Sequence, residues 1–254
     1  ASLALQPQGV GTERIDEVLA AKFGDVPVLR IDRGSTRRRD AMERLLGELG
    51  ERPGILIGTQ MLAKGHDLAN LSLVCVVGID EGLYSADFRS HEKLAQLLIQ
   101  VAGRAGRAER PGHVLLQTRH PDHPLLAMLI DGGYHAFAAD ALALREAAGF
   151  PPFAHLALLR AEARHAGPPL AFLQAARQAF ENAPASGGDV PALSGPMPAP
   201  MPRRAGMHRA QLLLSSGERR HLHAALQAAL PAIHALPEAR RVRWSLDVDP
   251  VDLY

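Results

Sequence analysis

Gly54-Ile55-Leu56-Ile57-Gly58-Thr59-Gln60-Met61-Leu62-Ala63-Lys64-Gly65-His66-Asp67 is the stretch that decides the fold class. Residues 54–57 are a short apolar run that ends in glycine, and a polar loop follows at once. Such a run suits a strand buried on both faces of a parallel sheet. The loop then leaves at the carboxyl edge, where open α/β sheets place ligands. Upstream, Thr12 to Phe23 reads as a helix with Thr12 as its cap and Ile15, Val18, Leu19 and Phe23 on one face. Pro27 to Ile31 reads as a strand. Residues 36–50 read as a second helix, with Thr36 as cap, Met42, Leu45, Leu46 and Leu49 inward, and Gly50 as stop. Downstream, Leu71 to Ile79 is a longer apolar run, Glu92 to Ala102 a helix and His113 to Thr118 a strand. This alternation predicts an α/β sheet with right-handed crossovers.

The second half restarts the pattern. Leu125 to Ala148 is helical with a break near Gly132-Gly133, and Phe150-Pro151-Pro152-Phe153 stops it. Three segments are expected: 1–125, a helical connector 126–150, and 151–254. The last reads as strand 155–163, helix 170–182, a Pro/Gly-rich stretch 184–206, strand 209–215, helix 218–236 and strand 242–248. One further strand is possible at Ala192-Leu193-Ser194. That order suits a small ferredoxin-like α+β sandwich. Gly195 to Arg204 is too rich in proline for a central strand and reads as an extended loop.

The chain has 254 residues, 47% hydrophobic and 22% charged, which excludes a disordered tail or a disulfide-stapled miniprotein. Cys75 is the single cysteine, so neither an internal disulfide nor a Cys-rich zinc site is available. Inside Leu73 to Val77 it is expected to be a packed thiol. No stretch reaches the roughly 20 apolar residues of a membrane span. The first residues lack a signal-peptide pattern, so a cytoplasmic location is expected. The net charge is only +1, but residues 151–254 hold 11 Arg against 8 acidic residues, while residues 1–150 are net acidic. Arginine-rich composition suits phosphate partners, and it equally reflects a GC-rich genome.

Chemistry concentrates in two segments. In Gln100-Val101-Ala102-Gly103-Arg104-Ala105-Gly106-Arg107, two arginines three residues apart share one side of a helical turn. The intervening glycines allow close approach. Such a pair can neutralise the charge spread over the β- and γ-phosphates of a nucleotide, as an arginine finger does. Gln100 can hydrogen-bond the same phosphate or its attacking water. In the loop after residue 58, Thr59 and nearby backbone N–H groups can hold a nucleic-acid phosphate, and Asp67 can accept from a ribose hydroxyl.

Thr59 to Asp67 resembles motif V, and Gln100 to Arg107 motif VI, of superfamily 2 nucleic-acid motors. With Ser85-Ala86-Asp87-Phe88-Arg89-Ser90 and Trp244-Ser245-Leu246-Asp247-Val248-Asp249-Pro250, the resemblance narrows to the bacterial replication-restart helicases, and runs from about Gly9 to Pro250. It implies a RecA-like helicase lobe 2 over 1–125 and a C-terminal domain for DNA and partners over 151–254. The activity implied is ATP-dependent 3′-to-5′ unwinding of forked or single-stranded DNA, in replication restart by primosome assembly. By position Gln100, Arg104 and Arg107 would face ATP, which with its Mg²⁺ is bound mainly on another lobe, with Gly65, Asp67 and Gly103 nearby. Thr59 and Lys64 would touch the DNA backbone or couple it to the ATP cleft. Single-stranded DNA-binding protein and other primosome proteins are the implied partners, with no membrane.

No Gly-x-x-x-x-Gly-Lys-[Ser/Thr] loop occurs, and Asp80-Glu81 lies outside the context of a Mg²⁺ box. The cysteine clusters that hold zinc in the family are absent. The chain therefore reads as about the carboxyl-terminal third of such a helicase, expected to be unable to hydrolyse ATP alone. Arg203, Arg204 and Arg209, beside His208, suit DNA phosphates. Gly206 to Ala210 lacks the aromatics for base stacking that the family often has there. Arg219 and His223, one helical turn apart, suit an acidic peptide tail. His120-Pro121-Asp122-His123 lacks further ligands, so no metal is expected. Asp247, Asp249 and Asp252 are expected to be solvated or paired with Arg241 and Arg243, and Trp244 to pack in the core. The competing reading is a non-catalytic DNA or single-stranded-DNA-binding-protein interaction module from a truncated helicase. A Rossmann-type enzyme lacks its glycine turn after the first strand, where Asp32-Arg33-Gly34-Ser35-Thr36 stands.

Overall fold

The structure is a computed structural model that describes residues 11–31, 47, 49–50, 52–59, 71–85, 87–103, 105, 112–183 and 190–253. Two compact units emerge. One comprises residues 1–84 and 91–134, the other 85–90 and 135–254.

In the first unit, α1 (Thr12–Lys22) precedes β1 (Val28–Ile31), which pairs in parallel with β2 (Ile55–Gly58). Gly11, not Thr12, is the N-cap, and Thr12 is the first helical residue, its side chain capping nothing. Gly50 adopts φ +58, as the stop of the expected 36–50 helix requires; most of that segment lies outside the described residues. Ile31 and Ile57 are buried. β3 (Leu73–Val76) pairs in parallel with β4 (His113–Leu116). Parallel pairing was the expectation; burial on both faces was not met. In this two-stranded pair Leu73, Cys75 and Leu115 share one outward face, so Cys75 is an exposed thiol rather than a packed one. An apolar run states what a strand can bury, and the covering layer decides whether it does. α2 (Asp80–Leu83), α3 (Ser90–Ala102) and α4 (Pro124–Ala127) follow, and a single π-helical turn at Met128–Gly132 marks the break anticipated at the paired glycines.

The second unit holds α5 (Gly133–Ala148) from His135 onward and then β5 (His155–Ala163), α6 (Gly167–Glu181), β6 (Ala192–Arg204), β7 (Met207–Ser216), α7 (Arg219–Ala235) and β8 (Arg243–Val248). The sheet order is β6-β7-β5-β8, all antiparallel. That βαββαβ order is the ferredoxin-like sandwich. Alternate residues of β5 (Ala157, Leu159, Ala161) and β7 (Ala210, Leu212, Leu214) turn to one face. They meet Phe172, Leu173, Ala176 and Phe180 of α6 and Leu222, Leu226, Ala229 and Ile233 of α7. Period 2 on the strands and about 3.6 on the helices put these residues in one core. Trp244 packs against it, 5.6 Å from Phe172.

The stretch read as a loop at 195–204 is strand. β6 runs thirteen residues through Pro196, Pro198, Pro200 and Pro202. An edge strand has a side with no partner, and prolines two apart can all place their missing donors there. Register shifts between Ser194 and Met197, and between Pro198 and Arg203, absorb the irregularity. The strand ends in a two-residue hairpin turn, Ala205 (φ 49) and Gly206 (φ 79), the pair of positive φ angles that suits the twist of a hairpin.

Candidate functional site

The helix that precedes the arginine motif in the chain, α3, is built from its entry. Asp87 is buried, its N–H donates to Ser85 Oγ at 3.2 Å and its carboxylate accepts from Arg89 N at 3.1 Å. Ser90 N donates to Asp87 O, so an aspartate turn launches α3. Leu94, Ala95, Leu98 and Val101 are buried on one side of α3, which leaves Gln100 exposed on the other. Gly103 N donates to Ile99 O at 2.9 Å and Ala105 N to Val101 O at 3.2 Å. Helical bonding thus continues past Ala102 into the motif. Arg104 and Arg107 lie outside the described residues.

At the carboxyl edge of β1–β2, Gly58 stands opposite Ile31 and exposed Thr59 follows it. Thr59 therefore sits at the edge where the strand-loop reading places it. Lys64, Gly65 and Asp67 lie outside the described residues.

At the matching edge of β3–β4, Asp80 is committed to structure. Its carboxylate accepts from Thr118 Oγ1 and from Arg119 N at 3.1 Å. The Thr118 bond above all, with the Arg119 N–H and the nearby His120 and Arg119 charges, holds the Asp80 carboxyl below the usual range against the opposing effect of desolvation. His120 and His123 pack edge-on to Tyr84, with centroids at 4.8 and 5.6 Å, and His123 Nδ1 accepts from Leu125 N. Among the described residues no group of three His, Cys, Asp or Glu is placed to hold a metal.

In the second unit Arg203 and Arg204 close the β6–β7 hairpin, Arg203 opposite His208 and Arg204 opposite Met207. Arg209 stands opposite Glu162. Arg203 and Arg204 are exposed and Arg209 half-buried. All three lie near the β6–β7 hairpin end of the sheet, but register puts Arg203 with His208 on one face and Arg204 and Arg209 on the other. Arg219 and His223 are exposed on the first turns of α7, but Arg219 already pairs with Asp249 at 3.1 Å. The carboxylates at the chain's end do not pair with Arg241 and Arg243. Asp247 and Asp252 pair with Arg160 at 3.0 and 3.6 Å, Asp249 with Arg219, and Arg243 instead with Glu162 at 3.4 Å. In β5 and β8, Arg160 and Asp247 share a face close together, whereas Arg241 lies outside the strand.

Comparison with known proteins bears on what this arrangement is. Residues 10–109 match the helicase conserved C-terminal domain, and residues 146–251 match the primosomal protein N C-terminal domain. Over 253 residues the chain is 46% identical to replication restart protein PriA of Haemophilus influenzae, which covers 99% of this chain and 34% of that protein. The chain is a PriA relative, matching its carboxyl-terminal part. PriA of Bacillus subtilis is 37% identical over 243 residues, covering 95% of this chain and 30% of that protein. PriA of Treponema pallidum is 34% identical over 247, covering 96% and 36%. The chain thus spans about a third of the length of the curated relatives it matches.

Of the residues drawn from the PriA-like motifs, Gln100, Gly103 and Thr59 are described, at the end of α3 and the edge of β2. Phe88, from the Ser85–Ser90 segment, stacks on Phe150 at 5.2 Å, with the Arg145 guanidinium 5.3 Å from its ring centre. That segment is part of the second unit, so it serves packing there. Arg160 was missed by sequence reading. It bonds Asp247 Oδ2 and Asp252 O, both at 3.0 Å. An arginine in the middle of an apolar strand was the available signal. No described helix is long and apolar enough to cross a membrane.

Proposed function

We propose that this chain is the carboxyl-terminal part of an ATP-dependent 3′-to-5′ DNA helicase that acts at forked or single-stranded DNA in replication restart. The observation that carries this reading is the end of α3. Exposed Gln100 and the continuing turn through Gly103 and Ala105 lead into Arg104 and Arg107, within the stretch that matches a helicase C-terminal domain. In the proposed division of labour, Arg104 and Arg107 supply positive charge to the phosphates of ATP as bond breaking spreads negative charge over them. Gln100 orients the attacking water, and Gly65, Asp67 and Gly103 shape the same wall. Thr59 and Lys64 hold the DNA backbone, and Arg203, Arg204 and Arg209 add a second DNA contact. The nucleotide-bound Mg²⁺ and the phosphate loop belong to another polypeptide segment, since this sequence has no Gly-x-x-x-x-Gly-Lys-[Ser/Thr] loop. Single-stranded DNA-binding protein and other primosome proteins are the proposed partners, the former at Arg219 and His223. The proposed setting is the cytoplasm.

The test is DNA-stimulated ATP hydrolysis by this chain alone, then mixed with a separately made phosphate-loop half. Turnover is expected only in the mixture. Arg104→Ala or Arg107→Ala should lower it by about 10³-fold or more, the range of an arginine finger. Robust turnover by the chain alone, or a mixture indifferent to both alanines, overturns the reading.

A further inference from the structure

We infer that Asp87 is a positioning residue for ATP hydrolysis, an assignment that rests on the reading above for its reaction. The turn that Asp87 holds fixes the start of α3, and so places Gln100 and the arginines that follow it in the chain. Aspartate bonds the N–H groups of its own neighbours, which suits it to the residues just before a helix rather than to the helix interior. Asp87 does this twice. Its Oδ1 accepts from Arg89 N at 3.1 Å, and its carbonyl accepts from Ser90 N, the first residue of α3, at 2.9 Å. Its own N–H donates back to Ser85 Oγ at 3.2 Å. Asp87 and Ser90 are both buried. A buried carboxylate is costly unless its oxygens are hydrogen-bonded, so the side chain is held to the bonds it makes in the turn.

Further contacts seat the same end of the helix. His91 Nε2 donates to Leu83 O at 2.7 Å. A Cβ on Gly82 would come to 3.1 Å of Leu94 Cβ, so α2 lies close against α3 there. Phe88, inside the turn, stacks on Phe150 with the rings 4° from parallel, and the Arg145 guanidinium beside it also donates to Pro151 O at 3.4 Å. These contacts gather at the first turn of α3, whereas Gln100 near its other end is exposed. At 1.5 Å per residue, Ala102 stands about 18 Å along the axis from Ser90. A tilt of about 5° at the start therefore moves the far end by about 1.5 Å. A misplacement of about 1 Å can cost about 10²-fold in rate. In this reading ATP is held mainly by the phosphate-loop segment, and Asp87 touches no reacting atom. Its effect therefore falls on turnover and not on the binding of ATP.

The test is DNA-stimulated ATP hydrolysis by this chain mixed with the phosphate-loop half, read separately as kcat and as KM for ATP. Asp87→Ala is expected to lower kcat by about 10- to 10²-fold and to leave KM for ATP within about twofold. Asp87→Asn keeps an oxygen that accepts from Arg89 N, and should return kcat to near the wild-type value. Amide hydrogen exchange at Arg89 and Ser90 should quicken in Asp87→Ala and not in Asp87→Asn. If circular dichroism shows that Asp87→Ala does not fold, Ser85→Ala, which removes only the bond from Asp87 N, takes its place, with kcat expected to fall by roughly threefold or more. A kcat unchanged per folded molecule makes Asp87 a stabilising residue alone and overturns the inference while the motor reading stands. Equal losses in Asp87→Ala and Asp87→Asn assign the effect to the charge and not to the turn, and overturn it as well. So does a raised KM with kcat intact. A wild-type mixture without turnover removes the motor reading, and the role of Asp87 with it.

Discussion

Gly195 is the residue on which the edge strand turns. Its φ is +109, and a Cβ there would come to 2.9 Å of Gln211 O and 3.1 Å of Met197 N, both backbone atoms of the sheet. Neither neighbour can yield without breaking register. Arg177 Nη1 donates to the Gly195 carbonyl, and its Nε donates to Glu181 at 2.8 Å, so α6 holds the bulge from the other side. Gly195→Ala is expected to lower the unfolding free energy by about 1–3 kcal/mol. Urea unfolding followed by circular dichroism measures it, and an unchanged midpoint removes this account. The glycine was visible in the sequence as part of a Pro/Gly-rich stretch. The backbone it must avoid, sixteen residues downstream on β7, was not.

At the scale of elements, the helices were the most legible. Phe172, Leu173, Ala176 and Phe180 recur at helical spacing and all enter the core of the sandwich. Phe172 is fully buried and lies against Trp244. Phe172→Ala should therefore cost about 3–5 kcal/mol, the usual range for a buried phenylalanine. A thermal melt that moves by less than a few degrees speaks against that packing. Strands were legible where their neighbours are regular, as in β5, β7 and β8. β6 was not, because proline content predicts a loop while its edge position makes the same prolines harmless. β3 was legible as a strand but not in its burial, since Leu73, Cys75 and Leu115 face outward. The arginine motif was legible as chemistry because its residues are contiguous in the chain.

At the scale of the whole molecule, the sandwich core lies wholly within residues 157–246. A fragment of residues 146–253 is expected to unfold cooperatively on its own, with a calorimetric enthalpy of about 70 kcal/mol for its roughly one hundred residues. A broad transition without a heat-absorption peak contradicts that. The sequence by itself determined the alternation of strands and helices, the position of the two motor-like segments and the likeness to PriA. Each of these is carried by residues close together in the chain, where periodicity and motif spacing act directly. Only the tertiary structure decided which distant charges meet. Arg160 finds Asp247 eighty-seven residues on, and Arg164, Arg203, Arg209 and Arg240 gather at one sheet end. The physical reason is that antiparallel register joins strands tens of residues apart, and a pairing of β5 with β8 shifted by one residue would turn Asp247 to the face opposite Arg160.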